Sequence, residues 1–367
     1  MKIRWPFKKL AYQHWLGINL SQLNPSAVIY SAGKIIAAKS FSQEEGIEAL
    51  TQWLRDHAVV GMPAVLVLDS HDYELLLTEA PNVPDDELNA AMEFRVGDLL
   101  AQDISETAIQ AIRLPEDAYR GRMSMAHVIA APNEKIEKWV AWAEELKLKI
   151  SLITVPELCL LNLLALFDVE QGVGLLELEP ERGSLRLYQA GALYLTRQIE
   201  VGLDALELVR AEDRDPPIEH LEVEPIEVEA LEVEPDLESG IELDLELEAD
   251  ADVNAENELK VDDYVPFSGK ANINEQQLES LILKVQRSLD YYESQLGMGQ
   301  ITRLWLISER EDLSDLVEIM DAQFFVKIEQ PDITKMFKKL DFQIASDIEE
   351  LNRMAVAIGG ALAYDRD

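Results

Sequence analysis

The chain is poor in cysteine, in basic residues and in long apolar runs. Of 367 residues one is cysteine, Cys159, which excludes an intrachain disulfide. Lying in the apolar run LCLLNLLALF, it reads as a small buried hydrophobe in a protein of a reducing compartment. No stretch reaches the ~18 to 20 apolar residues that span a bilayer, since Leu158–Phe167 is short and broken by Asn162. No apolar core follows the basic Met1–Lys9, so no secretory signal is expected and the chain is expected to be cytosolic. Bases are outnumbered, with 32 Lys and Arg against 70 Asp and Glu and a net charge of −38. So acidic a surface repels phosphate and argues against nucleic-acid binding.

Motifs for common chemistry are also lacking. Gly33–Lys34 is followed by Ile35 with no glycine five residues earlier, so there is no Walker loop. No GxGxxG follows a strand, and no GxSxG elbow occurs. Asp250, Asp252 and Asn254 begin like a calcium loop, but Ala255 and Val261 stand where the glycine and the bidentate acid belong. The five histidines, His14, His57, His71, His127 and His220, lie far apart, and with one cysteine they form no zinc spacing. Each reads as a surface or satisfied core residue.

What is present is an apolar fraction of 48%, ample for two cores. Three β-like runs (Trp15–Leu20, Ala27–Ser31, Lys34–Ala38) form a meander, followed by an amphipathic helix over Glu44–His57 and a buried strand Ala64–Leu68. A helix over Asp85–Leu100 opens after Pro84. Strands Ala108–Arg113 and Met125–Ala131, a helix Glu134–Leu146, a strand Lys149–Thr154 and an apolar helix Glu157–Phe167 complete this half. A second meander follows at Val173–Glu179, Ser184–Gln189 and Leu193–Val201. After an interruption come a long helix Asn274–Gln295, a strand Leu304–Ser308, a helix Asp312–Met320, a short strand Phe324–Ile328 and a closing helix near Leu351–Tyr364. The repeated pattern predicts a duplicated α/β protein with a cleft between its halves. The first lobe spans 1–170, with an inserted subdomain at about 79–150. The second spans 171–210 and 264–367.

The interruption, residues 211–263, holds 22 acids and two bases, more than half of the net charge. Its near-repeats LEVEP, IEVEA and LEVEP alternate like a strand, but same-face glutamates repel and Pro225 and Pro235 break a ladder. It reads as a disordered acidic insertion, with an edge that orders on a basic partner as the competing reading. At the other extreme, Met1–Lys9 places Lys2, Arg4, Lys8 and Lys9 beside Trp5 and Phe7. That composition suits contact with anionic lipid, a solvated tail being the alternative.

Several segments resemble the type IV pilus assembly protein family PilM. They are RSLDYYESQ with the following RLWLI, the hairpin SLRLYQAGALYLTRQIEVG, the stretch from LTEAPNVPDDELNAAMEFRVGDLL to ELKLKISLITVPELCLLNLL, and the closing AVAIGGALA. Together they cover most of the chain outside 211–263, and within the group they look most like the branch serving MSHA-type pili. The resemblance implies an actin-like (ribonuclease-H-like, duplicated) two-lobed fold. It implies nucleotide contacts at positions where this chain departs from the pattern. Asn19 stands in an acid position, followed by Leu20, and only Ser21 is retained. Glu177 and Glu179 replace an Asp-Ile-Gly pattern, and Ser308–Glu309–Arg310 replace a glycine-rich turn. Glycine lets backbone amides approach phosphate, whereas glutamate there adds bulk and like charge. The expectation is a degenerate pocket that binds ATP weakly or not at all, with no hydrolysis and no other cofactor. The resemblance also implies a groove in the first lobe for the cytosolic N-terminal tail of a PilN-like single-pass inner-membrane protein. Glu93, Phe94 and Arg95 offer mixed apolar and charged contacts there, against the plainer reading of Phe94 as core and Arg95 as a solvated charge. The resulting expectation is a non-catalytic scaffold of a pilus assembly platform. The alternatives are an actin-fold ATPase or small-molecule kinase with unfamiliar contacts, or the cytosolic part of a type II secretion component, whose chain continues into a membrane helix.

Overall fold

A computed structural model describes residues 14–100, 102–167, 172–207, 273–308, 313–342 and 348–364. The readings for Met1–Lys9, for 211–263 and for Glu309 fall outside these residues.

The first sheet has the order β3-β2-β1-β4-β8 and is built from β1 (Trp15–Asn19), β2 (Ser26–Ser31), β3 (Lys34–Ser40), β4 (Pro63–Val67) and β8 (Lys149–Thr154). Strands β1 to β3 run antiparallel, and β4 and β8 add in parallel. The second sheet repeats this plan as β11-β10-β9-β12-β13. Its strands are β9 (Gly172–Leu178), β10 (Gly183–Gln189), β11 (Ala192–Ile199), β12 (Ile301–Ser308) and β13 (Lys327–Glu329). Again there are three antiparallel strands, then two in parallel. Even the turns repeat. Ala32–Gly33 between β2 and β3 and Ala190–Gly191 between β10 and β11 all have positive φ, from 47° to 84°, as a two-residue turn matched to strand twist requires. This duplicated ribonuclease-H-like topology is the actin-like fold.

Helices α1 (Gly46–Asp56) and α3 (Asn133–Glu145) cover one face of the first sheet, with Leu50, Leu54, Trp139 and Ala143 packed on Leu16, Ile18 and Leu66. Between the sheets lie α4 (Pro156–Leu164) and α8 (Ile348–Ala361), whose Leu160, Leu163, Ala357 and Ile358 share one core with Tyr30, Leu175, Tyr188 and Trp305. The small residues of AVAIGGALA are required for that approach. A Cβ at Gly359 would lie 2.1 Å from the Cys159 carbonyl oxygen, and one at Gly17 of β1 2.0 Å from that of Ala357. Helix α5 (Glu275–Ser294), capped by the Asn274 side chain, packs Leu281, Val285 and Tyr292 inward. Helices α6 (Ser314–Gln323) and α7 (Ile333–Lys339) complete the second lobe.

The inserted subdomain is a three-stranded sheet of order β5-β7-β6, made of β5 (Glu74–Glu79), β6 (Thr107–Arg113) and β7 (Met125–Pro132). It is covered by α2 (Leu88–Val96) through Leu88, Met92 and Val96. By sheet membership it runs from Glu74 to Pro132, whereas the sequence reading ran from about 79 to 150. Strand β5 is half-buried along ELLLTE and lacks the alternation that marks a strand, and α3 packs on the first sheet. Helix α2 is shorter than Asp85–Leu100, because Asp85–Glu87 form a turn. In the second lobe, Phe324 and Phe325 precede β13 rather than open it, and α7 follows where no element was expected. Among the described residues no helix is long and apolar enough to cross a membrane.

Candidate functional site

The C-terminal ends of the parallel strands in an open α/β sheet are where ligands bind, and here the two sheets bring β1, β4, β9 and β12 to such an end. Asn19 closes β1 opposite Val67, and Ser308 closes β12 opposite Leu178. The structure therefore gathers Asn19 and Ser21 on the β1–β2 hairpin, and Glu177, Glu179 and Ser308 at the end of β9 and β12.

On the first hairpin four successive amides are already engaged by side-chain oxygens. Ser21 N donates to Asn19 Oδ1 (3.3 Å), Gln22 N to Asp69 Oδ2 (2.7 Å), and Leu23 N and Asn24 N to Ser21 Oγ (3.3 Å each). A run of amides like this is where an anion would be held. Here the buried Asp69 carboxylate supplies the charge. Its other oxygen, Oδ1, accepts from His71 N (2.8 Å) and lies 2.7 Å from His71 Nδ1.

On the second hairpin, Arg182 donates from Nε to Glu179 Oε2 (3.1 Å) and from Nη2 to Ser70 Oγ of the first lobe (2.8 Å). Burial, and then the Glu177 charge, push the Glu179 carboxyl up, against the pull of Arg182. Glu177 faces Arg186 of β10, whose Nη1 lies 2.6 Å from Glu177 Oε2 and whose Nε lies 3.4 Å from Glu157 Oε1 in the first turn of α4. Arg186 and Glu157 are each 4% exposed. Tyr73 donates to Glu157 Oε2 (2.6 Å), and Tyr188 to the Glu157 carbonyl (2.9 Å). Burial and the Glu157 carboxylate hold the Tyr73 phenol well above its ordinary range, so it remains the donor. Ser308 is buried, and its carbonyl accepts from Asn352 Nδ2 (2.8 Å). Among the described residues no group of three or more His, Cys, Asp or Glu side chains is arranged to hold a metal ion.

The chemistry of this end is thus internal ion pairing. Asp69, Tyr73, Glu157, Arg182 and Arg186 were missed by sequence reasoning. One signal was visible, an arginine in the middle of the otherwise apolar strand SLRLYQ.

The three candidate partner residues lie on the outward side of α2. Phe94 is 93% exposed, so it is not core; Glu93 is exposed, and Arg95 Nη2 pairs with Glu79 Oε2 at 2.8 Å. Where the first lobe meets the subdomain, a cavity of about 110 Å³ is lined by His71, Asp72, Tyr73, Leu100, Thr107 and Ala130, among others. Lys135 Nζ reaches the buried Asp72 carboxylate at 2.7 Å.

No family model and no curated protein matches the sequence. Solved structures do match. The PilM–PilN type IV pilus biogenesis complex aligns over 96% of this chain and 98% of that one, at 15% identity and a TM-score of 0.63. The cytoplasmic domain of EpsL, an inner-membrane component of the Vibrio cholerae type II secretion system, aligns over 51% and 71%, at 16% identity and a TM-score of 0.38. A Bacteroides thetaiotaomicron protein of unknown function with an actin-like ATPase fold aligns over 89% and 95%, at 10% identity and a TM-score of 0.45.

Proposed function

We propose that this chain is a non-catalytic scaffold of a type IV pilus assembly platform, of the PilM-like kind that serves MSHA-type pili. On this reading it works at the cytosolic face of the inner membrane and docks the N-terminal tail of a PilN-like single-pass protein. The observation that carries the non-catalytic part is the occupation of the β1–β2 hairpin. Its amides are bound by Asn19, Ser21 and Asp69, and a phosphate entering there meets the Asp69 carboxylate, while on the second hairpin Glu177 and Glu179 are already paired with Arg186 and Arg182. A phosphate must displace the Asp69 carboxylate or meet its like charge, and either opposes binding. Docking is supported by a fold shared with a protein solved together with PilN and by the exposed Phe94 beside a mixed charged surface. Burying one such aromatic anchor typically dominates a peptide interface.

Titrating Mg-ATP while following thermal unfolding tests the non-catalytic part. The expected result is an unchanged midpoint up to millimolar nucleotide, because a ligand bound to the folded state alone must raise it. A saturable rise accompanied by phosphate release would favour the ATPase or kinase reading.

A further inference from the structure

The Tyr291 of RSLDYYESQ faces away from the core of its own lobe. Its hydroxyl lies 2.9 Å from that of Tyr119, in the inserted subdomain, while the Arg197 guanidinium sits 5.0 Å from its ring centroid. Tyr119, Arg120 and Gly121 have φ of 54°, 55° and 67°. Two consecutive side-chain-bearing residues in the left-handed region are strained and persist only where surrounding contacts hold them. Here those contacts come from the second lobe. The Arg120 side chain lies over Gly297, where a Cβ would meet its Cγ at 2.3 Å, and its Nη2 reaches the Ser294 carbonyl at 3.5 Å. Tyr194 donates to Asp117 at 3.4 Å, and the buried His127 Nε2 lies 3.2 Å from the Leu193 carbonyl.

The remaining geometry is that of a hinged flap. The subdomain has its own core, formed by α2 on β5, β6 and β7. Its two chain connections to the first lobe sit side by side, because Glu74 at the start of β5 pairs with Ala130 near the end of β7. A body with its own core and two adjacent connections can rotate about those connections once its contacts with the second lobe part, among them His127 with the Leu193 carbonyl and Leu75 on the inter-lobe core.

We propose that Tyr119–Gly121 is a strained latch that fastens the inserted subdomain to the second lobe through Tyr291 and Gly297. Its release relaxes the two left-handed residues and lets the subdomain swing about the Glu74–Ala130 end. The latch stands apart from the proposed function, although the moving body is the one that carries Phe94.

Distance measurement between spin labels tests it. The full-length protein carries labels at Ala108→Cys in β6 and Glu293→Cys in α5, both exposed, while the buried Cys159 stays unlabelled. The intact latch is expected to give one narrow distance. Tyr119→Phe combined with Tyr291→Phe is expected to add a second, longer distance and to speed amide exchange over 117–123 by tenfold or more, with α1 and α5 still protected. If the double variant perturbs folding, Tyr119→Phe alone is expected to give the same change in smaller proportion. A single unchanged distance with unchanged exchange in a folded variant overturns the latch. That outcome leaves peptide docking and Mg-ATP titration as independent tests of the scaffold.

Discussion

Glu157 of α4 and Arg186 of β10 form a buried ion pair between the lobes, 3.4 Å apart and each 4% exposed. Arg186 also serves Glu177 at 2.6 Å, so a single guanidinium is shared by two carboxylates. Removing one member of a buried pair leaves the other charge uncompensated, at about 3–5 kcal/mol. Arg186→Met strands two acids, whereas Glu157→Gln leaves Arg186 paired with Glu177. Urea denaturation is expected to show the larger loss for Arg186→Met, within about that range. Equal, sub-kcal effects would show that the network bears little on stability.

The passage of α8 between β1 and α4 leaves no room for a methyl group at two glycines. In both cases the atom opposed is backbone, 2.0 Å from a Gly17 Cβ and 2.1 Å from a Gly359 Cβ, and backbone cannot rotate aside. Overpacking of this kind costs about 1–3 kcal/mol, occasionally more. Gly17→Ala and Gly359→Ala are therefore each expected to lower the unfolding midpoint by several degrees. Gly299→Ala, where nothing lies within 4 Å, serves as the control, and a matching loss there would refute the packing account.

His127 makes stability depend on acid. Burial lowers its pKa to about 4, from 6.5, so the folded state keeps it neutral where the unfolded chain takes up a proton. This contribution is fully present above about pH 6.5 and is lost as pH falls toward 4, by about 3 kcal/mol in all. Other groups facing the ring include Glu157, whose charge favours the protonated form, and the Leu193 carbonyl. His127→Gln keeps a donor for that carbonyl and removes the proton uptake. The difference in stability between wild type and variant is expected to shrink from pH 7 to pH 4.5, and a pH-independent difference would contradict it.

Much of the fold was legible because it is written twice. The three β-like runs at Trp15–Ala38 and again at Val173–Val201 predicted two meanders, whereas the close approach of the small-residue helix emerged only from the structure. Element boundaries failed where propensity was overridden. Strand β5 carries ELLLTE with no period of two, and Phe325 sits outside β13, fully exposed. At the site, the family resemblance named Asn19, Ser21, Glu177, Glu179 and Ser308 as nucleotide-contact positions, but not the partners the structure gives them. Arg182 and Glu179 are only three residues apart, but Asp69 lies 47 residues from Gln22, Glu157 84 from Tyr73 and Arg182 112 from Ser70. A polar contact across such separations leaves no local pattern to read.

The central claim, a docking scaffold that needs no nucleotide, is tested most directly by calorimetry. Synthetic N-terminal tails of single-pass inner-membrane proteins that co-purify with the chain are titrated into nucleotide-free protein, and again with saturating Mg-ATP. The account expects one such tail to bind with the same affinity in both conditions, and Phe94→Asp to weaken it tenfold or more. Binding that appears only with Mg-ATP, or no binding by any tail, would contradict the account.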